Sequence, residues 1–420
     1  VTAAVVYPTG KQTIGGAVEA SPGTPVAPTF WMPVSKFEWN DKPVWLKDMA
    51  GRGVMGNDAF AIIQGVEIGE LTIEGPAYFD TLGYWLGNLM GDVTATGTTT
   101  APTGTLSALS VVGATSVSSS VSIPNGTLIQ IDVGNLAEIV TTSGPPTGAG
   151  PYAIPVPALA KPHASGVAIT AVVAPNQHAF SLMNSGGGRG QGTASAQPST
   201  HTITQYYGPA ATSGGRQFTN VVFTDLSFKW NAEADFMTYT AKAIAWVSTI
   251  PATIAAATFT AAQPIAAWRG LLGLAGPASG GTQVLTCESG EYNLKRTAKA
   301  LYTAQGSQNP YSIPRGGVMA DWKSTFVAAD ETPYLFMRNN TQPQMQFVLA
   351  GPGTGANALG IQFDMQQAAF TEAKANFGKE VVGFDAVGTA VFNTTNAGYT
   401  GGMSPIKVTL TNAIAAGSYL

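Results

Sequence analysis

Between residues 218 and 247 the chain alternates apolar and polar side chains more regularly than anywhere else. Leu226, Phe228 and Trp230 interleave with Asp225, Ser227 and Lys229, the period-2 pattern of a strand with one buried face. The polar run Asn231–Asp235 makes a connection, and Met237 to Val247 resumes as a strand rich in Thr, Tyr and Ile. The pattern predicts a hairpin of two long antiparallel strands. It is a piece of wall and not a place for chemistry.

From the start of the chain, Val1 to Pro33 reads as an extended lead-in, either a flexible arm or one that docks on a neighbouring subunit. Phe37, Trp39 and Trp45, with Lys36 and Glu38, predict a strand pair over Phe37–Lys47. Asp48–Phe60 is punctuated by Gly and lacks a strand pattern, and such loops in compact domains are usually functional or mobile. Gly65–Gly75 reads as a strand whose apolar parity switches at Gly69, the mark of a bulge. Phe79, Leu82, Leu86 and Leu89 then form the stripe of a short helix, with Pro76 near its start and Gly91 at its end. That stripe would pack over one face of the sheet.

Composition changes sharply at Asp92. From Val93 to Gly214 the charged residues are Asp132, Glu138, Lys161 and Arg189, in a stretch filled with Thr, Ser, Val, Gly and Pro. Short strand-like runs (Ser116–Ile123, Thr127–Val133, Glu138–Thr142, Val167–Val173) separated by turn signals predict a small β module with Gly-rich linkers at its ends. After the hairpin, Pro251–Gly281 reads as another linker. The rest then repeats the order of the first part: strand (Glu291–Tyr302), loop (Thr303–Gly317), strand (Val318–Val327), short helix (Asp330–Asn339), and strands over Gln344–Leu349, Leu359–Ala369 and Val381–Phe392.

Whole-chain composition narrows the class. Only 10% of the 420 residues are charged, against roughly one quarter in average globular proteins. A surface so poor in charge predicts a protein covered in an assembly. The 50 Gly and 27 Pro favour a turn-rich all-β chain, and the net charge of −4 argues against a protein that grips DNA. The single Cys287 leaves no intrachain disulfide and no cysteine-based metal site. No apolar run of about 18 residues marks a membrane span and no signal-peptide pattern is present, so a soluble chain made in a cytoplasm is expected.

The opening GKQTIGGAVEASPGTPVAPTFWMPV, the unit GVEIGELTIEGPAYFDTLGYWLG and the hairpin TDLSFKWNAEADFMTYTAKAIAW resemble tail tube (major tail) proteins of bacteriophages with long non-contractile tails. In the second half the resemblance is carried by SGEYNLKR, ALYTAQGSQNPYSIPRGG, DETPYLFMRNNTQPQ and NTTNAGYTGGMSPIKVTLTNA. It implies an all-β fold: two antiparallel β-sandwich or barrel domains, each with a short flanking helix, plus the inserted β domain on the tube exterior. The division would be 1–92 with 215–250 for the first tube domain, 93–214 for the insertion, 251–281 for a linker and 282–420 for the second tube domain. It also implies a structural virion protein made in the host cytoplasm, polymerised into stacked rings whose lumen conducts DNA without binding it specifically. A chain with two such domains would form trimeric rings of pseudo-sixfold shape. Tape measure and tail tip or terminator proteins are the further partners implied; no membrane and no cofactor is.

Several residues become candidates on that reading. Strand residues Leu226, Phe228 and Trp230 could pair across subunits, since ring closure removes sheet edges. Residues 1–92 carry ten Asp/Glu against five Lys/Arg, and phosphate neutralisation by cations is the main source of nonspecific DNA affinity. Glu70 and Glu74 share a strand face and could face the lumen, although a solvated outer face accounts for them equally. The two loops, with Asp48, Arg52, Asp58, Asn309 and Arg315, could order against an adjacent ring.

Catalytic signals are missing. His163, His178 and His201 lie far apart, without carboxylates at ligand spacing, and read as surface or turn residues. GGGRGQG at Gly186–Gly192 has neither a strand feeding it nor a helix following it, and GPGTG at Gly351–Gly355 reads as a turn. Cys287 reads as a small buried apolar residue. The sequence therefore predicts no enzyme. A β-modular bacterial surface protein or adhesin, another virion part such as a capsid or decoration protein, and a lectin remain the alternatives.

Overall fold

The computed structural model describes residues 9–50, 59–97, 102–133, 136–171, 176–186, 196–208, 214–233, 235–251, 256–260, 262–351, 359–378 and 380–419. In the first half, β1 (Thr13–Val18), β2 (Phe30–Met32), β3 (Lys36–Asp48) and β4 (Ala61–Pro76) precede α1 (Leu82–Met90) and β5 (Gly91–Thr96). A small module follows, made of β6 (Thr103–Thr105), β7 (Ser116–Ser119), β8 (Leu128–Ile131), β9 (Glu138–Thr141), β10 (Tyr152–Pro155) and β11 (Ala168–Ala171). The chain returns through β12 (Asn176–Leu182) and β13 (His201–Tyr206) to the long hairpin β14 (Gly215–Asn231) and β15 (Thr238–Ala245). The second half contains β16 (Gly270–Leu274), β17 (Gln283–Val284), β18 (Cys287–Ala298), β19 (Arg315–Val327) and α2 (Thr332–Arg338). It ends with β20 (Met345–Ala350), β21 (Gly360–Met365), β22 (Ala368–Asn376), β23 (Gly383–Ala390) and β24 (Lys407–Asn412).

The fold is all-β. Among the described residues, an 11-stranded antiparallel sheet runs β3-β4-β15-β14-β18-β19-β23-β22, and the N-terminal part of β14 branches off to β13, β1 and β2. A seven-stranded sheet, β17-β16-β20-β21-β24-β12-β5, packs across it. The aromatic core lies between them. Trp230 stacks on Phe347 with centroids 4.6 Å apart, Tyr292 stacks on Phe363 at 4.8 Å, and Phe228 meets Phe363 edge-on at 5.0 Å. The alternation read from the sequence is therefore real: Leu226, Phe228 and Trp230 point into this core.

The two halves match strand for strand. β3-β4-β15-β14 and β18-β19-β23-β22 follow the same order, each with a short helix after its second strand. Two of their irregularities match as well, while the β18–β19 shift between Cys287 and Ser289 has no counterpart in β3–β4. The β3–β4 register shifts between Pro43 and Trp45, and the β18–β19 register shifts between Arg296 and Ala298. The β14–β15 register shifts between Phe223 and Asp225, and the β22–β23 register between Phe370 and Glu372. At that second bulge, Thr224 donates its hydroxyl to Lys242 O and Thr371 donates to the corresponding Val387 O. A bulge fixes register locally, so these shared positions align the halves residue by residue: Glu38, Asn40 and Lys42 of β3 correspond to Glu291, Asn293 and Lys295 of β18.

Several expectations are corrected. Phe37–Lys47 belongs to one strand, β3, whose partner β4 starts at Ala61, so the two ends of the expected loop 48–63 are paired strand, Asp48 opposite Ala61. The bulge lies opposite Val44 and not at Gly69, because β4 pairs without interruption with β3 from Glu67 to Glu74 and with β15 from Gly69 to Pro76. The separate module is narrower than 93–214: β5 and β12 belong to the seven-stranded sheet and β13 to the large one. Its own apolar core draws on Leu106, Val117, Ile129, Ile131, Ile154 and Ile169. The segment 251–281 contains strand β16, which pairs with β20. The strand expected over Leu359–Ala369 is split between the two sheets as β21 and β22.

Helix α1 is buried along its whole length, on more than one face. Trp85 meets Phe223 of the large sheet with ring centroids 4.6 Å apart, the stripe Leu82, Leu86 and Leu89 is fully buried, and Gly91, at φ 88°, ends the helix in the left-handed conformation that glycine tolerates. The C-terminal tail covers the other side. Tyr419 lies so close to Gly83 that a Cβ there would overlap its ring, and its hydroxyl donates to Asp80 O while accepting from Asn412 Nδ2. Tyr419 thus joins the end of the chain to the first helix. Tyr419→Ala is expected to lower stability by about 3–5 kcal/mol, as for other buried aromatic truncations. Denaturant unfolding read at the helical and aromatic signals would check this, and a loss below about 1 kcal/mol would show that the tail is not part of the core.

Candidate functional site

The face of the large sheet turned away from the core is largely polar from edge to edge, with Met319 exposed on it opposite Lys295. Because side chains alternate along each strand, Asp225 and Lys229 of β14 share that face with Lys242, Glu291, Lys295, Asp321 and Lys323. It continues through Glu70, Glu74, Lys36, Glu38 and Lys42 at one edge, and Glu372, Lys374 and Asp385 at the other. Eight carboxylates are thus interleaved with seven lysines. Lys42 Nζ lies 2.5 Å from Glu70, Lys36 lies 3.0 Å from Glu38 and 3.9 Å from Glu74, and Lys229 lies 3.6 Å from Glu291. Lys374 pairs with Glu372. The hydrogen bond to Glu38 raises the Lys36 ammonium above its ordinary range, as Glu372 raises Lys374. Exposed pairs of this kind add little to stability. What they do is pair four of the seven lysines, which lessens the positive charge the face offers to an anion. Glu70 and Glu74 do share a face, but each is matched by a lysine from β3.

The strand candidates fall elsewhere. Leu226, Phe228 and Trp230 cannot pair across subunits, because β14 is already bonded to β15 on one side and β18 on the other. Their side chains fill the core. Among the described residues, the open edges of the eight-strand run are β3 and β22.

Of the loop candidates, Asp48 sits at the β3–β4 tip, where its carboxylate accepts the Ala50 amide. Arg52 and Asp58 lie outside the described residues, as do 187–192 of GGGRGQG and 352–355 of GPGTG. The loop bearing Asn309 folds back on the chain's own β4. Gln308 O accepts the Glu67 amide at 3.1 Å, Gln308 Nε2 donates to Gly65 O at 2.9 Å, and Tyr302 donates its hydroxyl to Glu67 O at 3.1 Å.

Arg315 is not a loop residue. It opens β19 and is 6% exposed, with Arg296 buried beside it. Arg296 Nη1 donates to Leu89 O at 2.6 Å, at the C-terminal end of α1, and its Nε donates to Gly316 O at 3.0 Å. Arg315 donates to Pro198 O at 2.6 Å, Ser199 O at 3.1 Å and Asn88 Oδ1 at 3.0 Å. These acceptors are all uncharged. The guanidiniums are held by carbonyl dipoles and by the negative end of the helix, and burial lowers Arg296 to about 10 and Arg315 to about 9. Sequence reasoning had no signal for this clamp, because it joins residues more than a hundred positions apart.

The histidines are also corrected, since all three are buried. His178 donates to Ile414 O at 2.9 Å. His163 does have carboxylate neighbours: Glu138 lies 3.2 Å from its Nε2 and Asp132 3.6 Å from its Nδ1. Burial works to raise the Glu138 carboxyl, but the Ala160 and Lys161 amides and His163 outweigh it and hold it below its usual range. Among the described residues no cluster of His, Cys, Asp and Glu could hold a metal ion, and no helix is long and apolar enough to cross a membrane. Cys287 is only partly enclosed by its neighbours, yet the burial of its thiol pushes it up to about 12, a poor nucleophile.

His201 receives the Asn88 amide on Nδ1 at 2.7 Å. Burial, with the Arg315 charge nearby, drives it down to about 3. The unfolded chain takes up that proton near pH 6.5, so the native state loses stability as pH falls from 6.5 towards 3, by up to about 1.4 kcal/mol per pH unit. His201→Gln removes this uptake. Unfolding free energy measured between pH 6.5 and 4 is expected to fall less steeply in the variant, by up to one proton. Parallel slopes would show that His201 does not titrate in this way.

Among its described residues the chain is an all-β sandwich with matched halves, two short α-helices and a largely polar outer face. No curated protein matches it. A family model described as phage tail tube protein matches residues 9–411, nearly the whole chain. The chain therefore belongs to the phage tail tube protein family, a structural component of the virion tail.

Proposed function

We propose that copies of this chain close into rings which stack as the hollow tube of a long non-contractile phage tail, with the polar sheet face lining the passage for DNA. One observation carries the reading: the chain already contains one copy of the joint that a ring needs. Where the halves meet, β14 pairs with β18, placing Asp225 opposite Lys295, Ser227 opposite Asn293 and Lys229 opposite Glu291. By the shared bulges, β22 corresponds to β14 and β3 to β18. The two open edges are thus a second version of the same joint, waiting for a neighbour.

The register carries over without adjustment. It sets Glu372 of one copy opposite Lys42 of the next, Lys374 opposite Asn40, and Asn376 opposite Glu38. The opposite charges of Asp225 and Lys295 recur as Glu372 and Lys42. An unpaired edge of this length is a standing invitation to another strand, and pairing it laterally closes the sheet on itself. With two matched halves in each chain, read as a duplicated tube domain, a trimer gives a wall of pseudo-sixfold shape. The inserted module then sits outside the tube, and tape measure and tail tip proteins would meet its interior and its ends.

Two experiments test the reading. Lys42→Glu sets two carboxylates face to face and is expected to reduce ring formation at least tenfold by electron microscopy and sedimentation. Adding Glu372→Lys should restore it. A double variant no better than the single would reject this register, and rings of six chains would reject the trimer. For the passage, Glu70→Gln with Glu74→Gln releases Lys42 from its partner and leaves Lys36 with Glu38 alone. Assembled tubes of that variant are expected to gain salt-sensitive affinity for duplex DNA. Unchanged binding would place the polar face away from the DNA.

A further inference from the structure

The joint between the halves has a second side, behind its polar ladder. There Phe228 and Trp230 of β14 are covered by Tyr292, Phe347 and Phe363 of the second half, and none of the five is more than 6% exposed. Trp230 lies flat across the partner strand because Gly290 stands opposite it, where a Cβ would overlap the indole. The shared bulges carry these positions to the outer edges of the chain. The same alignment holds away from the sheet: Trp85 of α1 meets Phe223 at 4.6 Å, as Phe336 of α2 meets Phe370 at 5.4 Å.

At one edge, β22 leads through Ala375 to Phe377 where β14 carries Phe228 and Trp230. Both are exposed, Phe377 by 76%. At the other edge, β3 carries Trp39 where β18 carries Tyr292. Arg216 precedes Phe223 by the same seven residues that separate Phe363 from Phe370, and Gln205 stands opposite Arg216 as Phe347 stands opposite Phe363. The first half thus presents Trp39, Gln205 and Arg216 where the second presents three packed rings. These side chains are already assembled. Trp39 Nε1 donates to Gln205 Oε1 at 3.1 Å, the Arg216 guanidinium lies 5.6 Å from the Trp39 ring centroid, and Phe218 backs the indole at 5.8 Å. Trp39 nevertheless stays 36% exposed. One edge has a ring without a pocket, and the other a pocket without its ring.

We propose that Trp39, Gln205 and Arg216 form a socket for an aromatic side chain, and that its occupant is Phe377 of a neighbouring copy. The register that sets Lys374 opposite Asn40 sets Ala375 opposite Trp39 and Phe377 opposite Phe37. The small Ala375 leaves room for the indole of Trp39, and Phe377 is its diagonal neighbour on the same face, within reach of a large ring. Phe37 occupies the position of Gly290, so Phe377 cannot lie across its partner strand as Trp230 does, and its ring is turned towards Trp39 and Arg216. A ring beside a second ring and a guanidinium is held by its quadrupole as well as by burial. A socket that waits in water for another molecule is better lined by Gln205 and Arg216 than by two bare phenylalanines, whereas the internal joint, closed during folding, is not so constrained. The socket rests on the lateral joint of the tube reading for the approach of its occupant, but it lies on the opposite face of the sheet from the charge pairs tested there.

Phe377→Ala removes the ring from an exposed position and leaves the core of the single chain intact. The experiment is done at about 1 M salt, where surface charge pairs are largely screened. The protein concentration needed for half-maximal ring formation, read by sedimentation, is expected to rise roughly tenfold for Phe377→Ala and to stay near the wild-type value for Phe377→Trp. A wild-type midpoint for Phe377→Ala would overturn the socket and leave the lateral reading standing. Rings absent from the wild-type protein, or lost equally in both variants, would bring down the lateral reading and the socket with it. The address is checked by photo-crosslinking with p-benzoylphenylalanine in place of Phe377, in rings mixed from isotopically light and heavy chains. Adducts between light and heavy chains at Trp39, Gln205 or Arg216 are expected. Adducts confined to one chain, or between chains at other sites only, would reject the proposal.

Discussion

The structure depends on the need of every buried strand to have both of its backbone edges bonded. β14 meets that need twice over, with β15 on one side and β18 on the other. This single strand turns two halves into one sheet. An unpaired backbone group shielded from water costs as much as a lost hydrogen bond, so the halves cannot drift apart without exposing a ladder of such groups. The aromatic stack behind the joint, Trp230 on Phe347 and Tyr292 on Phe363, adds burial at the same seam. The chain is rigid where its halves meet and open at its two outer edges.

The arginine clamp works on the same seam from behind. Arg296 and Arg315 flank the β18–β19 bulge, and both reach into the end of the first half's helix. Their counterparts in β3 and β4 are Pro43 and Gln64, so the matching positions of the first half carry no copy of the clamp. Two buried cations without a carboxylate tolerate few changes around them. The internal joint is therefore locked by a device that the outer edges lack. A joint made once during folding can afford such burial, whereas one that must form between separate molecules is better served by exposed charge pairs.

Much of the fold was legible in the sequence because period-2 alternation reports which face of a strand is buried. Leu226, Phe228 and Trp230 point inward as read, α1 falls where its leucine stripe and Gly91 place it, α2 falls within the short helix read over Asp330–Asn339, and the order of elements does repeat. Alternation does not report a strand's neighbours. It could not show that β14 is enclosed on both sides, that the two ends of 48–63 are paired strand, or that β5, β12 and β13 leave the uncharged stretch to join the two large sheets. Buried polar residues were misread for a related reason. His163, His201 and Arg315 are buried because distant backbone and side chains satisfy them, and no local pattern carries that information. The polar face was half legible: the position of Glu70 and Glu74 on one face followed from spacing, but their lysine partners on β3 did not.

The module reaches the body through two adjacent antiparallel strands, β5 going out and β12 coming back, with Thr96 paired to Gln177. Paired residues in such a ladder lie about 5 Å apart, so the gap to be bridged is hardly wider than a peptide unit. The module keeps its own core and touches the rest through Leu128 beside Leu359. This is the geometry of a socket. Any compact domain whose ends lie close together could be grafted between β5 and β12, and a filament of such chains would carry it at regular, crowded intervals along its length.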